Sequence, residues 1–387
     1  MSNTLTTPAV RQRIAAVLFI AQSFFSASTI AAFTLSPIIA ANLSGSDTSA
    51  GIPNTVGLVG RAFFAYPLGY VMDRLGRRIA LTGGYAFAVL GGIVSIWAII
   101  NNSYAAFLLG ALLLGMSRAA GDQSRYVAAE VYPKARRAKV IGMIVFAGTI
   151  GAIGGPQLVD PSTRWMESFG LAGAAGPFAV AAASMLISVV IVFLFLRPDP
   201  LNIGRATADE EAAGDPDSVE HHKSHRSLRE IFSAPLVQLA LLSMVLGYFV
   251  MAFLMVITPL HMDNHMHTTR AISNVIMAHT LGMFGLSWLT GWCIDRFGRL
   301  TMILAGAGVL ISACIVAPLS LQVPVLGLAL FLLGLGWNFT FVAGSSLLSD
   351  ALAAHERGRV QGVSEAIVAL SAGGASFSVG YVFQQGD

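Results

Sequence analysis

Gly69-Tyr70-Val71-Met72-Asp73-Arg74-Leu75-Gly76-Arg77-Arg78, a charged turn between two long apolar stretches, decides how this sequence is read. A near-copy stands 222 residues further on: Gly291-Trp292-Cys293-Ile294-Asp295-Arg296-Phe297-Gly298-Arg299-Leu300. A second pair follows in register at an offset of 220, Glu130 with Arg137-Ala138-Lys139-Val140-Ile141-Gly142 and Asp350 with Arg357-Gly358-Arg359-Val360-Gln361-Gly362. One unit of about 220 residues is therefore present twice, a period far too long for a solenoid and of the size of a whole bundle.

Working outward, windows of about twenty apolar residues lie at 14–40, 53–72, 79–100, 104–126, 140–159, 172–196, 236–260, 271–292, 300–320, 323–347 and 360–383. That is the length a ~30 Å hydrocarbon core asks of a spanning helix. Of the 387 residues 55% are hydrophobic and 11% charged, against roughly 25% charged in an average soluble chain. The fold class is an all-α polytopic membrane protein with eleven visible spans. Composition excludes a cytosolic enzyme, a nucleic-acid binder and a secreted disulfide scaffold; Cys293 and Cys314 both sit in or beside apolar runs. The first window follows Arg11 and Arg13 and is too long for a signal-peptide core, so it reads as a retained anchor.

The basic residues orient the chain. With the N-terminus in the cytoplasm, 19 of the 23 Lys and Arg fall in cytoplasmic turns, Arg164 and Arg270 fall outside, and Arg61 and Arg118 lie within spans. The polar stretch from Arg197 to Phe232, with Asp209, Glu210, Glu211, Asp215, Asp217, Glu220, His221, His222 and His225, reads as a flexible cytoplasmic linker. The expected organisation is a six-helix bundle at 1–197, the linker at 198–232 and a second bundle at 233–387. The repeat offset places a twelfth span near 393–417, beyond Asp387.

The turn at 69–78 matches, at every fixed position, the G-x-x-x-D-[RK]-x-G-[RK]-[RK] signature of the major facilitator superfamily, which the chain resembles along its whole length apart from that last helix. The copy departs at Leu300, where a basic residue is usual. The resemblance implies two parallel six-helix repeats with a substrate site between them and transport by alternating access. It also implies that the turn is a latch: Asp73 near residues 359–362, and Asp295 near the start of the fifth span. Physical chemistry supports those residue types independently. Gly69 and Gly291 let helices approach closely, and an aspartate accepts from the free N–H groups of a helix N-terminus; Gly76 and Gly298 are counted with the latch by the resemblance. Arg74, Arg77, Arg78, Arg296 and Arg299 are expected to pair with acids and headgroups.

Ionisable residues inside spans are functional candidates because burying their charge is costly. Arg61 and His279 occupy equivalent depths in the second and eighth spans, Glu365 lies one to two turns into the eleventh, and Arg118 lies in the fourth. Asp122, one turn beyond Arg118, is read as a gate partner for Arg77, with a local pair to Arg118 also natural at i, i+4. Gln22, Ser26, Tyr248, Trp337 and Asn338 are candidate cavity-lining residues. The run Gly148-Thr149-Ile150-Gly151-Ala152-Ile153-Gly154-Gly155-Pro156 resembles part of the glycine-proline signature of the drug/proton antiporters. His261, Asp263, His265 and His267, taken as an outer loop, have the residue types of a metal site, although unconstrained loops collect such residues and no metal is assigned.

The sequence contains no nucleotide-binding P-loop and no HExxH or GxSxG constellation. The expected activity is therefore secondary transport of a small organic solute across the cytoplasmic membrane, coupled to protons, by a monomer without cofactor or nucleic-acid partner. Export by antiport is the leading expectation, from the glycine-proline run. Uptake of an anionic or carbonyl-rich solute is the alternative, from Arg61 and Arg118, and a non-transporting sensor is the remote one. Glu365 is the expected proton carrier, followed by Asp122 and His279.

Overall fold

The computed structural model of the chain describes residues 7–46, 49, 51–213, 226–267, 269–353 and 355–385. Every regular element among them is helical. Two compact units are present.

The first unit comprises Met1–Val131, Ala147–Gly214 and Ala354–Ala366. Its helices are α1 (Pro8–Ser44), α2 (Ile52–Leu75), α3 (Arg77–Ile100), α4 (Tyr104–Glu130), the later part of α5 (Lys134–Ser168), α6 (Gly176–Phe195), α7 (Pro200–Ala213) and the first turns of α14 (Arg357–Gln385). Helix ends follow local chemistry. Pro8 opens α1 and Gly45, at φ 70°, closes it; the Ser103 hydroxyl accepts from Ala106 N at the start of α4. Gly76 has φ 95°, a conformation without steric cost only for glycine, and this breaks α2 from α3 at the motif. Small residues let the helices touch: a Cβ on Gly115 would lie 2.0 Å from the Gly57 carbonyl oxygen, and one on Gly84 would lie 2.4 Å from Ala120 Cβ.

The second unit comprises Tyr132–Phe146, Asp215–Ala353 and Ile367–Asp387. It holds the start of α5, α8 (Leu228–Ser233), α9 (Pro235–Asn264), α10 (Thr269–Thr280), α11 (Ser287–Phe297), α12 (Arg299–Val316), α13 (Val323–Asp350) and the rest of α14. Gly298, at φ 94°, separates α11 from α12 as Gly76 separates α2 from α3, so the repeated motif repeats its backbone conformation. A π-helical turn at Leu281–Gly285 divides α10 from α11.

Among the described residues eight helices are long and apolar enough to cross a membrane: Pro8–Ala32, Arg77–Ile100, Tyr104–Glu130, Lys134–Gly155, Gly173–Phe195, Pro235–Met255, Arg299–Leu319 and Val323–Asp350. The other three expected windows are also helical, as α2, α10 with α11, and α14. These three contain Arg61, His279 and Glu365, and the middle one is interrupted by the π turn. Arg118 and Asp122 lie on α4, one of the eight.

Two expectations are corrected. The stretch after Arg197 does not start as a loose linker: α7 packs into the first unit because Leu201, Ile203 and Ala208 bury an apolar face at its base. His221, His222 and His225 lie outside the described residues. The segment from His261 to Asn264 is the last turn of α9 rather than a loop. The His261 and His265 rings lie tilted to each other at 4.3 Å between centroids, and no group of three metal-ligating side chains occurs among the described residues. The Asp263 side chain lies outside them.

Candidate functional site

Asp73 sits near the C-terminal end of α2, where its carboxylate meets the opening turn of α14. Its Oδ1 accepts from Gly358 N at 3.1 Å and its Oδ2 from Arg359 N at 2.9 Å. Both donors belong to the first turn of a helix and lack intrahelical partners, so Asp73 caps α14 from another helix. The approach depends on glycine: a Cβ on Gly69 would lie 2.1 Å from the Gly358 carbonyl oxygen, and one on Gly362 would lie 2.4 Å from the Ala65 carbonyl oxygen. Arg77 is buried and donates from Nε and Nη2 to the two carboxylate oxygens of Glu130, at 2.9 and 3.1 Å, and from Nη1 to Asp73 at 2.9 Å. Arg74 and Arg78 pack over the rings of Tyr70 and Phe193.

The second unit repeats this arrangement. Asp295 Oδ2 accepts from Lys139 N at 2.9 Å near the start of α5. Arg299 lies 3.4 Å from Asp295 and donates from Nε to Asp350 at 3.0 Å, as Arg77 does to Glu130. Arg137 also donates to Asp350. Burial pushes the Asp295 carboxyl pKa up, and the Lys139 N–H and the Arg299 charge oppose that shift. A Cβ on Gly291 would lie 2.4 Å from the Ala138 carbonyl oxygen. No partner of Arg296 is described. Leu300, the departure from the motif, is exposed.

Deeper in the first unit, four charged side chains form one network. Arg61 Nε lies 2.6 Å from Asp122 Oδ2, and Arg61 Nη2 donates to Glu365 Oε2 at 3.2 Å. The other oxygen of Glu365 accepts from Arg125 Nη2 and, at 3.2 Å, from the Tyr126 hydroxyl. Arg61 and Glu365 are 2% and 0% exposed, whereas the Asp122 side chain is 25% exposed, so Asp122 is the exposed end of the network. Two guanidinium groups face two carboxylates, and the cluster is neutral. The Gln22 side chain accepts from Ser124 Oγ at 2.8 Å, joining α1 to α4.

Asp122 is therefore not the partner of Arg77. It lies eight residues before Glu130, about 12 Å along α4 at 1.5 Å per residue, and Glu130 takes the Arg77 role at the helix end. Asp122 pairs with Arg61 from α2. Arg118 lines a cavity with α1, α2, α3 and α6. Glu365 does not turn toward the interface; it is enclosed.

In the second unit His279 Nδ1 bonds the Leu330 carbonyl at 3.0 Å, which joins α10 to α13 and requires the proton on Nδ1. Asn338 Nδ2 donates to the Met283 carbonyl and to Ser287 Oγ, both at 2.6 Å, and so satisfies a carbonyl within the π turn. Tyr248, Phe284, Trp337 and Phe341 form one aromatic cluster, with Trp337 stacked on Phe341 at 4.6 Å. Ser26 donates to the Gly148 carbonyl, and a Cβ on Gly151 would lie 2.3 Å from the Ser26 hydroxyl, so part of the glycine run in α5 serves close packing on α1.

Sequence reasoning missed Arg125, counted there as a loop charge, and Asp199. Arg125 is 4% exposed because α4 continues through the apolar run after it; its position three residues after Asp122 on one helix face was the available signal. Asp199 accepts from the backbone N–H groups of Arg77 and Arg78 at 3.0 and 3.1 Å and caps α3. Nothing in its local sequence marks that contact.

Comparison with known proteins agrees with this geometry. The family described as Major Facilitator Superfamily matches residues 17–376. The uncharacterized MFS-type transporter YddS of Bacillus subtilis (strain 168) is 33% identical over 93% of this chain and 82% of its own length. The riboflavin transporter RfnT of Brucella anthropi is 27% identical over 97% of this chain and 90% of its own. Among solved structures, the human organic anion transporter MFSD10 superposes with a TM-score of 0.74 at 18% identity, covering 96% of this chain and 93% of that one. The proton:xylose symporter XylE gives 0.72 at 17% identity, covering 98% and 89%. These two show a shared fold. A repeated motif with repeated geometry, membrane-length helices, and a family match over nearly the whole sequence lead to one conclusion: this chain is a secondary transporter of the major facilitator superfamily.

Proposed function

We propose that the chain carries a small anionic or carbonyl-rich organic solute together with protons, by alternating access across the cytoplasmic membrane, with Glu365 as the proton carrier. The charge balance around Glu365 is the observation that carries this reading. In the cluster of Arg61, Arg125, Asp122 and Glu365, cations and anions cancel. A proton added to Glu365 leaves two guanidinium groups facing one carboxylate, an uncompensated buried charge that is expensive in a low-dielectric interior. An anion binding there at the same time restores neutrality. Proton and anion are then taken up cooperatively, which is the thermodynamic signature of symport. Asp122, the exposed end, gives the proton a route to the network. The contact of Asp73 with the first turn of α14, just under two turns from Glu365 on that helix, links the charge state of the network to release of the latch.

The transporter named for riboflavin and the one named for organic anions fit a solute rich in carbonyl or anionic groups. Export by antiport is the second reading, and the glycine-proline run of α5 favours it. The two differ in direction. Symport predicts accumulation inside proteoliposomes when the outside is acid, and antiport predicts loss. The test begins with a thermal-shift screen of small organic acids and neutral carbonyl compounds, followed by flux of the best hit. Glu365→Gln mimics the protonated carboxyl and should abolish pH-driven accumulation while leaving downhill exchange. Accumulation at the wild-type level in that variant would remove Glu365 from the mechanism.

A further inference from the structure

Asp199 stands between α6 and α7, outside the motif, yet its carboxylate is spent on the motif turn. Its Oδ1 accepts from Arg77 N at 3.0 Å and from Leu201 N at 2.9 Å, and its Oδ2 accepts from Arg78 N at 3.1 Å. Arg77 and Arg78 open α3, and Leu201 is the second residue of α7. One carboxylate therefore serves the free N–H groups of two helix N-termini. Gly76 makes room for it: a Cβ there would lie 2.5 Å from Asp199 Oδ2. This motif glycine is needed twice, for its positive φ and for the approach of an acid from a later segment.

The same segment reaches the acceptor of Arg77. A Cβ on Gly204 would lie 3.2 Å from Glu130 Cγ and 3.4 Å from its Cδ, so α7 packs on the Glu130 side chain. Leu201, Ile203 and Ala208 are buried beneath α7, and Arg11 fastens its later turns to α1 by donating to Thr207 and Glu210, both at 3.3 Å. One short helix thus sets the backbone of Arg77 and the carboxylate of Glu130 together. Between these two lies the Arg77 guanidinium, which grips Glu130 through Nε and Nη2 and gives Nη1 to Asp73 Oδ1. That oxygen is the one that accepts from Gly358 N.

We propose that Asp199 is a positioning residue for the motif turn: with α7 seated, it aims the Arg77 guanidinium at Asp73 and so keeps the Asp73 carboxylate on the first turn of α14. A guanidinium is a rigid planar fork, so a shift of the Arg77 backbone cannot be absorbed by all three of its bonds at once. The contact of α2 with α14 then depends on a residue that touches neither helix's share of the bond. The bearing of this inference on transport rests on the reading above, in which the Asp73 contact serves turnover. Its own test needs no solute.

That test is hydrogen exchange, resolved to single amides, on the purified full chain in detergent. Asp199→Asn keeps the shape and removes the charge, so the Arg77 and Arg78 amides should exchange about tenfold faster or more, the loss of a bond to a charged acceptor. A residue that only capped α3 would do no more than that. Positioning adds a remote effect: the Gly358 and Arg359 amides, on another helix, should speed up about threefold or more, the coupling usual within one hydrogen-bond network. In an Asp73→Asn background those two amides have already lost their carboxylate, so Asp199→Asn should add nothing to them while still releasing Arg77 and Arg78. Ile203→Ala, which loosens α7 without changing a charge, should speed the same four amides and keeps the test sound if Asp199→Asn does not fold. Unchanged Arg77 and Arg78 rates in Asp199→Asn would overturn the proposal, as would a local release that leaves Gly358 and Arg359 at wild-type rates. An additive effect on those two amides in the double variant would overturn it too, as would wild-type rates there in a folded Ile203→Ala with faster exchange along α7. Wild-type pH-driven accumulation in Glu365→Gln alongside the expected exchange rates would sink the symport reading alone. Glu365-dependent transport alongside unmoved Gly358 and Arg359 rates in Asp199→Asn would sink this inference alone.

Discussion

Replacing Asp73 by asparagine changes one oxygen to an amide nitrogen and removes a charge at the point where α2 meets the opening turn of α14. The carboxylate accepts two backbone N–H bonds, from Gly358 and Arg359, and one from Arg77. An asparagine keeps one acceptor for these donors and turns an NH2 group toward the rest. Hydrogen bonds to a charged group contribute about 1.5–3 kcal/mol each and neutral ones about 1 kcal/mol. Losing two backbone bonds of the first kind and keeping one of the second costs roughly 2–3 kcal/mol at the lower end of that range, which suits a site at a helix end. At about 1.4 kcal/mol per factor of ten, the engaged contact should lose about 30- to 150-fold in population. Arg77 stays held by Glu130, so folding and expression should be normal. Hydrogen exchange of the Gly358 and Arg359 amides reads the effect directly: both should exchange faster by that factor in Asp73→Asn, and transport should fall. Unchanged exchange at both amides would refute the capping argument, and wild-type transport with faster exchange would show that the cap does not serve turnover.

Gly69→Ala should reproduce that phenotype by steric means, since its new Cβ would meet a backbone oxygen at 2.1 Å, whereas Gly83→Ala, with open space around it, should be silent in the same exchange assay. For topology, Ser227→Cys and His267→Cys in a cysteine-free background should label from opposite faces of the membrane; labelling of both from one face would reject the assignment drawn from the basic residues. At α8 the Ser227 amide and hydroxyl hold the Glu230 carboxyl below its usual range. The stability this cap contributes is therefore complete above the ordinary carboxylate value of about 4.3 and is lost as pH falls through the lowered one. Exchange over residues 227–233, corrected for intrinsic rate, should rise in that acid window in the wild type and show no such step in Glu230→Gln.

Much of this protein was decided by local composition. Twenty-residue apolar windows dictate membrane-length helices because unpaired backbone polar groups are intolerable in hydrocarbon, and eight of the windows carry enough apolar content to stand on that criterion alone. Gly69 and Gly291 were legible too, as positions of close approach, and both lie against backbone, whereas the positive φ of Gly76 and Gly298 emerged only with the fold. The expectation of Asp73 beside the start of the eleventh span also came from sequence, through the resemblance of its turn to a known motif. What the chain could not announce locally was which acid each arginine takes. Asp122 had two candidate partners, Arg77 and Arg118, and only the crossing of α2 and α4 at Gly57 and Gly115 delivers Arg61 to it. Arg125 looked like a loop charge until α4 continued past it, and Asp199 gained its role only because α7 folds back beneath α3. Partner choice among charges depends on distances of a few ångströms between residues up to 304 apart in sequence, and helix packing, with no local signal, sets those distances.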